Sequence, residues 1–488
     1  MKKRSYNGPL EQVSDCCWKI PKHSQPGMRV DGLVYASDKL MEQIRFDQSL
    51  QQVANVAHLP GIQHASLAMP DIHYGYGFCI GGVCATDPDE EGVISPGGVG
   101  YDINCGVRLV RSNLFYQDVQ PHIVKLMDVL HTQVPAGTGR GGKYRFNNKE
   151  LTRLLGEGVG FLRNRDLATD SDIEFTEANG CLDEADPSKV SARALERGNN
   201  QCGTLGSGNH FLEVQIVEAI FDDIAARTMG LEKDMVCVMI HSGSRGLGYQ
   251  VCDDALKALR GVPERYGIEL PDRQLACAPV NSREGQHYLG AMGAAANFAW
   301  CNRQLLMWQA RECFAAVFGR PWQQLQMNQI YDVAHNIAKF ERHTTGSVKD
   351  RKVWVHRKGA TRAFPPGHAE LPDRYSKIGQ PVLIPGDMGR ASWVLCGQPG
   401  SMEQTFGTAC HGAGRQMSRT AAVKHAKGRR IDEELARRGV IARSRSWRGL
   451  AEEQPDAYKD VNLVVDVVHQ ANLANKVARM KPIGVIKG

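Results

Sequence analysis

Glycine sets the first limit on what this chain can fold into. It has 51 glycines in 488 residues, above the usual share of about 7%, gathered into a few short runs instead of spread through a linker. The runs follow apolar stretches: Met235 through Ile240 lead into HSGSRG, and Val382 through Ile384 lead into PGDMG. A buried strand that ends in a glycine turn lets backbone and ligand approach closely, and such strand ends carry chemistry. Helical spacing is interspersed. Pro121 opens a first turn followed by Ile123, Leu126, Met127 and Leu130 on one face, and Phe298, Cys301, Leu305 and Trp308 form another face closed by Gly319.

With no repeat at a solenoid period and no Pro/Ser-rich linker, one large α+β domain spanning residues 1–488 is expected. Within it, residues 140–200 form a polar region whose acidic stretch, Asp166 to Asp186, reads as a solvated loop or insertion. The balance reverses over residues 421–450. Lys424 to Arg448 is basic and contains Trp447, suited to a phosphate backbone or to an exposed helical face.

Composition excludes several classes. Hydrophobic residues at 42%, charged residues at 23% and no apolar run near the roughly 20 residues of a bilayer span describe a soluble globular protein with no membrane role. The opening MKKRSYNGPLEQV is basic but lacks a following apolar stretch, so a cytoplasmic location is expected. Fourteen cysteines without a CxxC pair exclude a zinc ribbon, a redox motif and a disulfide framework, leaving most as buried, reduced residues. Net charge +6 tolerates a phosphate-rich partner without requiring one.

Chemistry is concentrated in a few strings. SPGGVGYDINCGVRLV sets Asp102 and Cys105 behind a glycine run, where a carboxylate and a thiolate can share a metal. Taken alone they are also a turn residue and a packing cysteine. GTLGSGNHFLEVQ brings His210 with Asn209, MVCVMIHSGSRGLG brings His241, YDVAHNIAKFE brings His335 with Asn336, and VWVHRKGATR brings His356. Any one of these histidines is also explained as a hydrogen-bonded structural residue. Together, a thiolate, a carboxylate and three histidines suit Mn, Fe, Co or Zn without selecting one, and a bridging thiolate allows two ions. In TFGTACHGAGRQMSR, His411 is followed by GAG and Arg415, small residues that admit a phosphate to the imidazole. A histidine can attack an α-phosphate if cations neutralise the developing charge, and Arg245, Lys358 and Arg415 are candidates. Neither a Walker loop nor the KxDG lysine signature of common nucleotidyl-transfer ligases occurs.

PDIHYGYGF, GGVGYDINCGVR, GSGNHFLEVQ, HSGSRGLG, HNIAKFE, HRKGATRA, HGAGR, AYKDV and KPIGVIKG occur in that order, nearly end to end. In these strings the chain closely resembles the RtcB-type RNA-splicing ligases, which join 3′-phosphate or 2′,3′-cyclic phosphate RNA ends to 5′-hydroxyl ends. The resemblance implies an α+β fold of mixed β-sheets with surrounding helices and glycine-rich active-site loops. It implies that Asp102, Cys105, His210, His241 and His335 hold two Mn²⁺ ions with Cys105 as the bridge, and that His411 carries a guanylate from GTP. It places Asn209, Phe211, Glu213, Ser392, Ala413, Gly414, Tyr458 and Lys487 around that guanylate, with Glu213 and Lys487 near the base. Arg245, Lys358 and Arg415 become anion holders, and His356 a loop organiser or RNA contact.

The reaction so implied has three stages: His411 attacks GTP, an RNA 3′-phosphate takes the guanylate, and a 5′-hydroxyl displaces GMP, in tRNA splicing or RNA repair. A monomer, RNA as partner and an activator of the archease type go with it. One departure is visible. IPGDMGRASWVL carries Asp387 and Arg390 where many members have small hydroxyl residues, which bears on nucleotide preference. Two other readings stand beside this one: a metal-dependent cyclic phosphodiesterase that does not ligate, and a catalytically silent RNA-binding homologue.

Overall fold

A computed structural model of the chain describes residues 6–137 and 139–488; the first basic residues of the N-terminal string lie outside them. The architecture is α+β. One sheet of seven strands runs in the order Glu11–Ser14, Cys17–Ile20, Asp31–Tyr35, Ile62–His73, Ile80–Thr86, Val348–Lys358, Asn336–Thr345. A second, of eight strands, runs Asn328–Ala334, Gly106–Phe115, Met235–Ser242, Phe211–Ile220, Ala474–Lys487, Ser392–Gly397, Pro381–Ile384, with Ile441–Ser444 added in parallel to Ala474–Lys487. Both sheets are mostly antiparallel. They meet where Asn328–Ala334 of the second passes through His335 into Asn336–Thr345 of the first.

The expected strand before HSGSRG is present as Met235–Ser242, every residue buried, so His241 belongs to the strand itself. The expected helix closed by Gly319 is longer than its apolar spacing suggested. It runs Arg283–Phe318, 36 residues, capped at its start by the Ser282 side chain and at its end by Gly319 with φ 66°. Its buried face includes Asn297, Asn302, Arg303, Gln304 and Arg311, polar groups that hide the apolar period and serve the site described below.

The acidic stretch 166–186 corrects the reading of a solvated loop. It folds into the short helix Asp170–Glu174 and further turns, and it buries two of its acids. Asp172 receives both terminal nitrogens of Arg311 at 2.8 and 2.7 Å, and Glu177 pairs with Lys339 at 3.1 Å. The basic segment forms the helices Arg419–His425, Ile431–Arg437 and Trp447–Glu452 around the strand Ile441–Ser444. Several of its arginines are paired with acids, among them Arg429 with Glu434 at 2.6 Å and Arg443 with Asp128 at 2.8 Å. All fourteen cysteines are free, and all but the half-buried Cys181 are buried. Among the described residues no helix is long and apolar enough to cross a membrane.

Candidate active site

Strand register assembles the candidate metal ligands. In the second sheet Val107 lies opposite His241, Phe211 lies opposite His241, and Gly106 lies opposite Ala334. Cys105, His210, His241 and His335 therefore emerge at one end of four neighbouring strands, though the chain separates them by up to 230 residues. The His335 amide donates to the Cys105 carbonyl at 2.8 Å. Cys105 Sγ is 3.3 Å from both His210 Nε2 and His241 Nε2, His241 Nε2 is 3.3 Å from His335 Nε2, and His210 Nε2 is 2.8 Å from Asp102 Oδ2. Cys105, His241 and His335 form one compact donor group and Asp102, Cys105 and His210 a second, so the thiol belongs to both. A sulfur shared between an imidazole pair and an imidazole–carboxylate pair fits two borderline divalent cations.

The cluster is held from behind. Arg303, fully buried, donates to the Asn104 carbonyl at 2.7 Å, to the Asn104 side chain at 2.9 Å, to the Ser242 carbonyl at 2.9 Å and to both oxygens of Asp332. It ties three ligand-bearing segments together. The Ser244 amide donates to Asp102 Oδ1 at 3.0 Å, and a Cβ on Gly243 would come within 2.3 Å of that oxygen, so only glycine lets the carboxylate in. Burial pushes the Cys105 thiol well above its usual pKa, with the Asp102 charge adding to it, and holds His241 and His335 well below theirs. The imidazoles thus keep free lone pairs, and the thiol ionises only beside a cation, as a metal site requires.

His411 stands next to this cluster. It follows the strand Thr408–Cys410, which pairs with Ala360–Arg362, and the Ala360 amide in turn donates to the His335 carbonyl at 3.1 Å. The His411 and His335 rings lie 4.9 Å apart, centre to centre. On its other side His411 Nδ1 is 2.5 Å from Asp71 Oδ2, which also accepts the amides of His411 at 3.0 Å and Gly412 at 3.2 Å. Asp71 is fully buried. Burial pushes its carboxyl pKa up, but His411 and the cation of Lys459 outweigh that and hold it below the usual value. Nδ1 lies at ion-pair distance from the carboxylate but outside hydrogen-bond geometry; an imidazole whose Nδ1 proton faces a carboxylate presents Nε2 as a nucleophile.

A cavity of about 240 Å³ opens from Cys105, His241, His335 and His411 past Gly412 to Arg415 and ends among Glu213, Asp387, Tyr458 and Lys487. Burial raises Glu213 to about 7 and Asp387 to about 6, and burial lowers Lys487 to about 8. Gln215 donates to Glu213 at 2.7 Å and to the Ser392 hydroxyl at 3.1 Å, and Ser392 accepts the Gly386 amide at 3.3 Å, so the wall bearing Glu213 and the loop bearing Asp387 are one network. The arrangement offers a nucleophilic nitrogen, a metal-ligating cluster and a polar-ended pocket in one line.

Comparison with known proteins meets this geometry. The family model described as tRNA-splicing ligase RtcB matches residues 52–488. The chain belongs to the RtcB family. It is 52% identical over 481 residues to the tRNA-splicing ligase RtcB of Archaeoglobus fulgidus, covering 99% of each chain. It is 52% identical over 480 residues to that of Thermococcus kodakarensis, covering 98% of this chain and 99% of the relative. With the RNA-splicing ligase RtcB of Mycobacterium tuberculosis it shares 51% identity over 439 residues, 90% of this chain and all of the relative.

Most residues expected from the RtcB resemblance converge. Asn209, Phe211, Glu213, Ala413, Gly414, Arg415, Tyr458 and Lys487 line or close the pocket that His411 floors, Lys487 with its ammonium 5.6 Å from the Phe211 ring centre. Ser392 sits behind the wall. Arg245 reaches the donor cluster, donating to His210 Nδ1 at 3.1 Å from a residue with φ 54°, a left-handed backbone that a side chain seldom adopts. Lys358 is outside the pocket, its ammonium given to the carbonyls of Tyr76 and Phe78. Arg415 gives its guanidinium to Glu453 at 3.0 Å, Tyr458 at 3.2 Å and the Glu452 carbonyl at 2.8 Å. His356 is fully buried, accepting the Ser95 amide at 3.2 Å, which is the organiser's role and leaves it no exposed face for RNA. Sequence reasoning missed Asp71, Arg303, Glu453 and Lys459 as site residues. Asp71 lay inside a quoted family string, but nothing local linked it to His411, 340 residues away.

Proposed function

We propose that the protein is a GTP-dependent RNA ligase that uses a manganese pair to join 3′-phosphate or 2′,3′-cyclic phosphate ends to 5′-hydroxyl ends, through a guanylate carried on His411, in tRNA splicing or RNA repair. The observation that carries this reading is the position of His411, between Asp71 at 2.5 Å and the His335 ring of the donor cluster, at the floor of a pocket ending in Glu213 and Lys487. A hydrolase that only opens cyclic phosphates has no use for such a histidine and pocket together.

In this reading Asp71 keeps the proton on His411 Nδ1. The Nε2 lone pair attacks the α-phosphorus of GTP, the N–P bond forms, and the bond to pyrophosphate breaks with its electron pair leaving on oxygen. An RNA 3′-phosphate oxygen then attacks the same phosphorus and the N–P bond returns its electrons to Nε2. Finally the 5′-hydroxyl oxygen attacks the activated RNA phosphorus, the bond to GMP breaks with its electron pair on the GMP oxygen, and the hydroxyl proton passes to the departing GMP. Asp102, Cys105, His210, His241 and His335 are the residues to hold the manganese ions, which when bound neutralise charge on the phosphoryl oxygens. Arg245, beside His210, is the chain's own cation at that position. Lys358 and Arg415 meet an anion only by releasing their present carbonyl and carboxylate partners. Glu213 and Asp387 accept purine N–H groups, and Lys487 and Tyr458 close the pocket.

The test uses RNA with a 2′,3′-cyclic phosphate end and a 5′-hydroxyl end, GTP and Mn²⁺. The wild type is expected to join the ends and His411→Ala to lose joining while still opening the cyclic phosphate. Joining by His411→Ala would remove the histidine guanylate from the account, and opening without joining by the wild type would make the protein a phosphodiesterase.

A further inference from the structure

Lys459 is a buried cation without a carboxylate within ion-pair distance among the described residues. It is 4% exposed. Its ammonium donates to the Ile72 carbonyl and, at 3.4 Å, to the Pro70 carbonyl, the two groups that flank Asp71. Its backbone amide donates to the Gly414 carbonyl at 2.9 Å, three residues after His411. Gly414, with φ 73°, passes so close to Asp71 that a Cβ there would meet the Asp71 carbonyl at 2.2 Å. One residue thus joins the end of the strand Ile62–His73 to the loop that carries His411.

A desolvated ammonium bound only to carbonyls needs a compensating charge nearby. The groups that face it are Asp71, Asp47, Cys79 and His73. Burial lowers Lys459 to about 8, and Asp71 is the foremost group acting against that. Cys79 stays a neutral thiol because burial pushes it up to about 12, and His73 stays neutral because burial lowers it to about 3. The charges that Lys459 answers are therefore those of Asp71, the foremost, and Asp47; the second oxygen of Asp71, Oδ1, is buried without a hydrogen-bond partner among the described residues.

We infer that Lys459 is a positioning residue for the guanylylation step, holding Asp71 ionised and in place so that His411 keeps its proton on Nδ1 and offers Nε2 to phosphorus. Without the ammonium, the buried Asp71 carboxyl keeps His411 and two backbone amides but loses the cation that adds to them, so it gains a proton more readily, and a protonated Asp71 donates to Nδ1 instead of accepting from it. The proton of the neutral imidazole then sits on Nε2, where no lone pair remains for attack. A carboxylate that fixes a histidine tautomer in this way is worth orders of magnitude in rate in other enzymes. The inference rests on the ligase reading for its kinetics but not for its tautomer.

The test compares the full-length wild type with Lys459→Met and Lys459→Arg. In protein labelled with ¹⁵N only at histidine, long-range ¹H–¹⁵N correlations report which His411 nitrogen carries the proton, whether or not the protein ligates RNA. The wild type and Lys459→Arg are expected to show the proton on Nδ1, and Lys459→Met to show it on Nε2. Formation of the His411 guanylate from GTP and Mn²⁺ should fall roughly 10²-fold in Lys459→Met, its acid limb moving to higher pH, and recover in Lys459→Arg. A Lys459→Met protein of unchanged fold with the proton still on Nδ1, or with a wild-type pH profile, would overturn the assignment. If no guanylate forms on the wild type the ligase reading fails alone, and the tautomer comparison still decides the role of Lys459.

Discussion

Glu213 and Asp387 put two carboxyl groups on the pocket wall, raised by burial to about 7 and about 6. A carboxylate accepts purine N–H groups and a carboxylic acid accepts them poorly, so GTP should bind more tightly as pH rises through about 7. The stability of the free protein is expected to take the opposite sign. Glu213 has an ordinary value of 4.5, so the stability that goes with its raised pKa is present below that value and is lost as pH rises through about 7. Thermal shifts with and without GTP from pH 5.5 to 8.5 check both, and Glu213→Gln should flatten the nucleotide effect. Asp387→Ser removes the chain's departure from many family members; it should weaken GTP binding by about 1–2 kcal/mol and narrow the preference for GTP over ITP. Unchanged discrimination would place Asp387 outside the base contact. The candidate metal ligands were legible in the sequence because each sits in its own family-like string, four of them within two residues of a glycine and His335 in HNIAKFE without one. Asp71 and Lys459 were not, because their meaning lies in partners that only the fold supplies.

At the scale of elements, the helix Arg283–Phe318 is a spine for the edge that carries the candidate metal ligands. Arg303 on it holds Asn104, Ser242 and Asp332, and Arg108 donates to the same Asp332 at 2.7 Å. Arg303→Met leaves Asp332 buried beside one arginine and frees the loops of Cys105 and His241. The expected cost is about 3–5 kcal/mol, read as a lower midpoint in urea, with weaker Mn²⁺ binding by calorimetry. Weaker unfolding resistance with unaltered metal affinity would mean that the ligands hold their own geometry. The same helix explains the misread acidic stretch: Asp172 is buried because Arg311 comes to it from 139 residues away. Local charge density resembled a solvated loop since the cancelling cations lie elsewhere in the chain. The helix itself was visible in the sequence only over its apolar centre, because its buried Asn and Arg residues break the hydrophobic period.

For the whole molecule, the two sheets meet at His335, and the site needs both: Cys105, His210 and His241 come from one, Asp71 from the other, and His411 from the ladder between. The α+β class was implied by the family resemblance, beside strand signals with helical ones interspersed, and the order of the glycine-rich strings announced the family. The meeting of the sheets did not, because register is set by pairings between distant segments. A site built this way couples metal to fold. Removing divalent ions with a chelator should lower the unfolding temperature, and Mn²⁺ should restore it in the wild type but not in Cys105→Ala, where the shared sulfur is gone. Equal restoration in that variant would show that the thiol is dispensable for binding.

The central claim is that His411 carries a guanylate. It is tested by incubating the protein with Mn²⁺ and GTP labelled at the α-phosphate, then denaturing it and following the label through acid and alkali. The account predicts covalent label that is lost in acid, stable in alkali and absent from His411→Ala. A manganese-loaded, folded protein that joins RNA yet takes no label, or one that keeps its label in His411→Ala, would contradict it.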